Sequence, residues 1–358
     1  MKIKFLIVIF GFFAFNVFSQ TSGRYSNEFL NIGVDARALA MGSAVVSNVS
    51  DATAGYWNPA GLSNIKNQDI SLMHAAYFAN IAQFDYMGYV RPINEKTAVS
   101  VSLIRFGVDN IMNTTQLIDG QGNINYDRIT YFSTADYALN FSLGRKNLWK
   151  NIDVGINAKL IYRHIGKFAQ GFGFGFDIGA QYQLKRWKFG LMARDITTTF
   201  NYWSIDKKAF ADIQATIPNQ NQDLPNNIEL TLPKLQLGVS GNFSLKEHLN
   251  LLTEVNLNMR FFKMNTLVSS DYISLDPALG LEFNYYDIAF LRLGVNNFQE
   301  QQYFDDKQIT FQPNAGLGFK YKGVRLDYAL TNIGSDGFFS HVFSLGLDLD
   351  RFIKKKEK

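Results

Sequence analysis

The sequence contains no cysteine, and that one absence excludes disulfides, thiolate metal sites, cysteine nucleophiles and a lipid-modified cysteine anchor. Histidine is scarce: His74, His164, His248 and His341 stand on separate segments without metal-ligand spacing, so each is read as structural or incidental. No Gly-x-Ser-x-Gly elbow and no phosphate-binding loop occurs. Gly171 to Phe176 alternates glycine with phenylalanine, but lacks the third glycine and following helix of a nucleotide site. Without a nucleophile–base constellation, the expectation is a protein that is not an enzyme, with no catalytic residue, cofactor or metal. Charged residues make up only 18%, and the formal charge of +4 is too small and dispersed to indicate nucleic acid. No internal apolar run reaches the roughly 18 residues of a membrane helix.

Aromatic residues, in contrast, reach 15%, with 32 phenylalanines among 358 residues. With no long apolar run to hold them, they must be interleaved with polar residues. From Gln68 onward the period is two. Gly171 to Lys185 is the plainest run: Phe172, Phe174, Phe176, Ile178 and Ala180 alternate with Gly173, Gly175, Asp177, Gly179 and Gln181. Phe84, Tyr86, Gly88 and Val90 form another apolar face, and similar runs continue to His341–Leu349. About fourteen such runs occur, most long enough to cross a bilayer as tilted strands of about 9–11 residues. Their connections alternate between short ones, such as Asn94-Glu95, Lys185-Arg186 and Lys322-Gly323, and longer ones: Gly107 to Asp127, Ile196 to Leu232, Phe262 to Asp276 and Asn297 to Ile309. Tight turns at one end and long loops at the other describe an outer-membrane barrel. The expected fold is therefore all-β: a transmembrane antiparallel β-barrel of about 14 strands, with outer-membrane lipid as its surroundings. Its inward faces carry charges of both signs, including Asp153, Lys159, Asp177, Glu254, Glu282, Arg292, Arg325 and Asp327. Balanced pairing across a wet lumen or to a plug is the expected account of these charges, and a selective polar binding site is the alternative.

Lys2 and Lys4 precede an apolar run from Phe5 to Phe18, broken by Gly11 and Asn16 and ending in Ser19-Gln20. This pattern predicts a secretory signal peptide over residues 1–20. A hatch segment over 21–67, a barrel over 68–352 and a basic tail over 353–358 complete the expected organisation. The longest loop holds Tyr202-Trp203 and a short helix predicted from Asp206 to Ala215; its aromatics are candidate contacts for a protein partner.

The stretch from Asn31 to Ser63 obeys neither period. Asp51 can cap the run Ala52-Thr53-Ala54, Pro59 holds Asn58 out of the helical region, and Gly61 is expected to supply a free φ for the onward turn. A packed, turn-rich plug fits these signals. Gly33, Ala36-Arg37-Ala38-Leu39-Ala40-Met41-Gly42, Asp51-Ala52-Thr53-Ala54 and Trp57-Asn58-Pro59-Ala60-Gly61-Leu62 resemble the N-terminal signature of the PorV/PorQ family of outer-membrane proteins, relatives of the FadL-like fatty-acid channels. The resemblance implies a fourteen-stranded barrel with this segment as a hatch in its lumen, Arg37 being a candidate partner for an inward carboxylate. It also implies work with type IX protein secretion and surface attachment, with a translocon component or exported proteins as partners; a channel for small hydrophobic molecules is the alternative. Fatty-acid channels kink their third strand to open a lateral exit, and Thr97 to Phe106 holds neither glycine nor proline to mark such a kink.

Overall fold

The computed structural model describes residues 26–118, 121–216, 227–303, 306–332 and 339–353. The predicted signal peptide and the residues after 353 lie outside them. One antiparallel sheet contains seventeen strands. In chain order they are β1 (Asp69–Tyr77), β2 (Ala82–Asn94), β3 (Thr97–Asn113), β4 (Thr130–Trp149), β5 (Ile152–Ile165), β6 (Ala169–Leu184), β7 (Trp187–Arg194), β8 (Thr199–Ile205) and β9 (Ile228–Thr231). There follow β10 (Lys234–Lys246), β11 (Leu249–Arg260), β12 (Val268–Ser269), β13 (Ser274–Tyr285), β14 (Ala289–Tyr303), β15 (Asp306–Tyr321), β16 (Val324–Thr331) and β17 (Ser340–Asp348). Fourteen of these form the ring. β8 and β9 branch from the N-terminal half of β6, and among the described residues β12 pairs with β13 alone. β1 closes the ring on β17, from Asp69 opposite Asp348 to Ala76 opposite His341. Closure is what the solvent demands: in hydrocarbon an open edge would leave backbone N–H and C=O groups without partners.

Period two becomes inside and outside. On β6, Phe172, Phe174 and Phe176 are exposed on the outer face, while Asp177 is buried within. The short turns use left-handed backbone, as two-residue hairpins require; Lys150-Asn151, Tyr286-Asp287 and Lys322-Gly323 all have positive φ. β3 is paired with both neighbours from Thr97 to Val108; its ladder with β2 shifts at the turn end, between Pro92 and Asn94, and its ladder with β4 shifts between Val108 and Ile111. Over Ala98–Phe106, within the stretch that lacks glycine and proline, neither ladder shifts register.

One sector reverses the expected polarity. The apolar face of β2 points inward, with Phe84, Tyr86 and Val90 buried beside Met73, Ala75 and Tyr77 of β1 and Ile104 of β3. These side chains pack with Phe29, Leu30 and Trp57 of the leading segment in one apolar core. Alternation alone cannot say which face of a strand turns inward; here the neighbour inside the ring decides it.

Candidate functional site: the lumen and its leading segment

Residues 26–67 make two short helices, α1 (Ala36–Ala40) and α2 (Ala54–Trp57), joined by turns, with 3₁₀ turns at Glu28–Asn31 and Pro59–Asn64. The local signals act as expected up to Asn58. Asp51 Oδ1 accepts from Thr53 N at 2.9 Å, and Asn58 is extended at φ −161°, ending α2. Gly61 is different. Its φ is not positive, so the turn does not need its conformational freedom. What excludes a side chain is space, since a Cβ there would lie 2.1 Å from the Val49 carbonyl oxygen. Gly33 and Gly42 do adopt positive φ, +100° and +63°. Gly33 also leaves room for the Trp57 ring, whose Nε1 donates to the Val34 carbonyl at 3.0 Å.

Asn58 joins the leading segment to itself and to the wall. Its Nδ2 donates to the carbonyls of Val46 (2.9 Å) and Ala180 (3.2 Å), and its Oδ1 accepts from Ala60 N at 3.1 Å. The wall is cut back to admit it. Gly144, Gly155 and Gly179 stand in register on β4, β5 and β6, and a Cβ on Gly155 would lie 2.1 Å from the Pro59 carbonyl carbon. Gly173 and Gly175, by contrast, make room for Asn201 and Thr199 of β8, so the glycines of β6 admit two different neighbours. Replacing Asn58 by Ala orphans buried carbonyls, and a loss of about 1–3 kcal/mol is expected in urea unfolding of the detergent-solubilised barrel.

Electrostatics supplies a second tie. Arg37 on α1 pairs with Glu282 of β13 at 2.8 Å. Glu282 pairs with Arg292 of β14 at 2.7 Å, and Arg292 with Asp327 of β16 at 2.6 Å. Asp327 lies 3.2 Å from Arg325, which lies 3.5 Å from Asp51. The chain of three acids and three arginines thus leaves the leading segment at Arg37, runs from β13 across to β16 and returns to it at Asp51. Burial works against the Arg37 charge, but Glu282 more than offsets this and holds the guanidinium above its ordinary value. Burial likewise opposes ionisation of Asp51, and Arg325 outweighs it, leaving this carboxyl below the usual range. Asp35 is an additional acid beside the chain. Burial first, then Asp51 and Asp327, push its carboxyl up to about 7.

Elsewhere Glu254 accepts from Ser47 N at 2.7 Å and from the Asn48 side chain. Ala36 N donates to Ser344 Oγ at 2.8 Å. Arg37 was the one residue of the ionic chain that the sequence tied to an inward carboxylate. Glu282 and Arg292 stand opposite each other on neighbouring strands, whereas the ties to the leading segment join distant residues, Arg37 and Glu282 being 245 positions apart.

The two loop aromatics separate. Tyr202 is exposed on β8, but Trp203 is buried, its ring against Gly171 and 4.9 Å from the Arg163 guanidinium. The expectation that both are open contacts is corrected: strand alternation sends one outward and the other in. The predicted helix near them exists as α3 (Lys207–Thr216), with Asp206 Oδ1 accepting from Lys208 N and Ala209 N.

Among the described residues no group of histidines and carboxylates is placed to hold a metal. The interior is a network of paired charges and packed small residues, chemistry suited to fixing one segment inside a ring.

The fold is shared with solved structures of hydrocarbon transporters and a FadL homologue. The toluene transporter TodX of P. putida matches at 12% identity with a TM-score of 0.55, over 88% of this chain and 98% of that one. The Ralstonia pickettii toluene transporter TbuX and a Pseudomonas aeruginosa FadL homologue each match at 12% identity and a TM-score of 0.52, with the same coverage. No curated protein matches this sequence. The model of the type IX secretion system protein PorV matches residues 20–258. With that match over more than half its length and a closed fourteen-stranded ring of FadL-like fold, this chain belongs to the PorV family and resides in the bacterial outer membrane.

Proposed function

We propose that this chain is a non-enzymatic component of type IX secretion, a barrel that receives exported proteins at the translocon or passes them on for surface attachment. The leading segment stoppers its lumen, and other surfaces make the partner contacts. The observation that carries this reading is the ionic chain from Arg37 to Asp51, which ties the leading segment into the ring at both ends. A channel for small hydrophobic molecules, the alternative suggested by the fold, needs a way past that segment or through the wall. The continuous pairing of β3 from Ala98 to Val108 offers no exit in that stretch.

Gentle solubilisation of outer membranes tests the proposal. A secretion component or exported protein should co-purify with the full chain, and isolation as a lone monomer would overturn it. In planar bilayers the wild-type barrel should stay closed to small ions, while Arg37→Ala combined with Asp51→Ala should produce intermittent openings. Steady conductance of the wild type would refute the stopper.

A further inference from the structure

The lipid face of the ring is notched at one place. On one rung of the sheet Val101, Phe141, Ala158 and Phe176 stand in register on β3, β4, β5 and β6. Phe141 and Phe176 are 49% and 44% exposed on the outer face, and between their rings Ala158 offers a single methyl group. The notch belongs to an apolar groove of about 640 Å³ that runs from Arg91 on β2 to Ile196, just beyond β7. Residues 195–198 close its far end. The ladder on β6 stops at Ile178 opposite Ala193 and resumes at Phe174 opposite Phe200, so residues 175–177 face 194–199. The surplus chain folds into a turn, with Thr198 N donating to the Asp195 carbonyl at 2.8 Å, and leaves Ile196 exposed at the groove's end.

The groove has a direction. Arg91 stands three residues before the end of β2 at Asn94, whereas Phe176 stands eight before the end of β6 at Leu184. Both strands end there in the tight turns of the periplasmic side. The groove therefore climbs from the periplasmic rim into the hydrocarbon.

Its lower end is basic. Arg91 and Arg145 are exposed on outward positions flanking β3, Arg91 opposite Val99 and Arg145 opposite Thr97. The arginine ion pairs among the described residues belong to Arg37, Arg105, Arg163, Arg260, Arg292, Arg325 and Arg351, and include neither of these two. The adjoining turns add Lys96, Lys146 and Lys150 against one acid, Glu95. Trp149 beside them is 64% exposed, with Lys150 Nζ 5.4 Å from its ring centre; exposed tryptophan marks the headgroup level of a membrane wall. At that level long arginine side chains reach water and phosphate while their stems stay in the apolar layer.

We infer that this groove binds one phospholipid of the periplasmic leaflet, with its phosphate between Arg91 and Arg145 and an acyl chain laid across Ala158 toward Ile196. Arginine suits the headgroup because its planar fork gives two parallel N–H donors to a phosphate. The notch suits the chain because the rings of Phe141 and Phe176 hold it on both sides, where a wall of even height offers only one. Lipids of the outer leaflet are excluded by the position of the cations at the periplasmic end. The site does not depend on which proteins the barrel works with.

The full chain, stripped of lipid in detergent and titrated with dipalmitoyl phosphatidylglycerol, should retain one molecule per barrel in native mass spectrometry. Arg91→Gln combined with Arg145→Gln should weaken this binding by about tenfold or more, as expected for losing two charge-assisted contacts. Ala158→Phe fills the notch from the lipid side and should weaken it by about fivefold or more. Dipalmitoylglycerol, with the same chains and no phosphate, should bind about tenfold more weakly than the phospholipid. Leu293→Phe, outward on β14, should leave binding unchanged, and the heat-dependent gel mobility of every variant should match that of the wild type. The two test variants act at opposite ends of the lipid, so a folding defect in one leaves the other decisive. Undiminished binding in a folded test variant, equal binding of dipalmitoylglycerol, an equal loss in Leu293→Phe, or a wild type that retains no phospholipid overturns the site.

Discussion

Replacing Arg292 by Met is expected to destabilise the barrel by about 3–5 kcal/mol, the usual cost of removing one member of a buried ion pair. Arg292 is 1% exposed and holds two carboxylates, Glu282 at 2.7 Å and Asp327 at 2.6 Å. Met keeps much of the volume and loses the charge, so the effect is electrostatic more than steric. Each carboxylate retains a second arginine, Arg37 for Glu282 and Arg325 for Asp327, which keeps the loss within that range. Urea unfolding of the detergent-solubilised barrel, followed by tryptophan emission, gives the measurement. Removing Asp327 as well, as Arg292→Met with Asp327→Leu, should recover part of the loss, because the carboxylate that lost one of its two arginines is gone and Arg325 keeps Asp51. A loss below about 1 kcal/mol for the single variant would place Arg292 among ion pairs of the solvated kind, and the ionic chain would not be what holds the leading segment.

The ring was legible in the residues because lipid and lumen are opposite solvents, and a strand between them must alternate. Phe172 to Ala180 shows this without ambiguity, and the tight turns at Lys185-Arg186 and Lys322-Gly323 mark its ends. Orientation was less legible. The apolar face of β2 reads like a lipid face, yet Phe84 and Tyr86 turn inward because the leading segment offers them an apolar partner. The same inversion sends Asp85 and Arg105 outward. In the leading segment, Asp51 and Pro59 act locally and were readable from their neighbours. Gly61 was read as a turn glycine, but its reason is the Val49 carbonyl beside it, a contact that only the folded segment creates. β8 and β9 were read as loop because their inward positions, Asn201 and Trp203 on β8, mix polar and apolar character. Arg37 could be assigned a carboxylate partner by type. Which carboxylate it meets depends on how β13 falls opposite α1 once the ring has closed.

Asp35→Asn is expected to stabilise the folded barrel at pH 8 and to change little at pH 4. Asp35 is 1% exposed, one of its carboxyl oxygens has no hydrogen-bond partner, and its pKa is pushed up to about 7 by burial and by Asp51 and Asp327. Arg325 and Arg37 face it from the other side and only partly offset this. With the folded pKa above the unfolded one, the folded state binds the extra proton. The contribution to stability is complete below the ordinary value of 3.8 and is lost as the pH rises from about 4 through 7. At roughly 1.4 kcal/mol per pKa unit, and allowing for the shared charge, the penalty at pH 8 is about 2–4 kcal/mol. Asn removes it by staying neutral, and being the same shape as Asp it fits the same space and takes up the same φ of 76°. Asp51 has the opposite sense: held below 3.8 by Arg325, it supports stability above about pH 4 and withdraws that support in more acid solution. The informative quantity is therefore the difference between variant and wild type, taken from urea titrations at pH 4.5 and pH 8. A gain of equal size at both pH values would mean that Asp35 is ionised throughout or is not opposed by its neighbours. A gain confined to pH 8 identifies it as an uncompensated acid beside the chain that holds the leading segment.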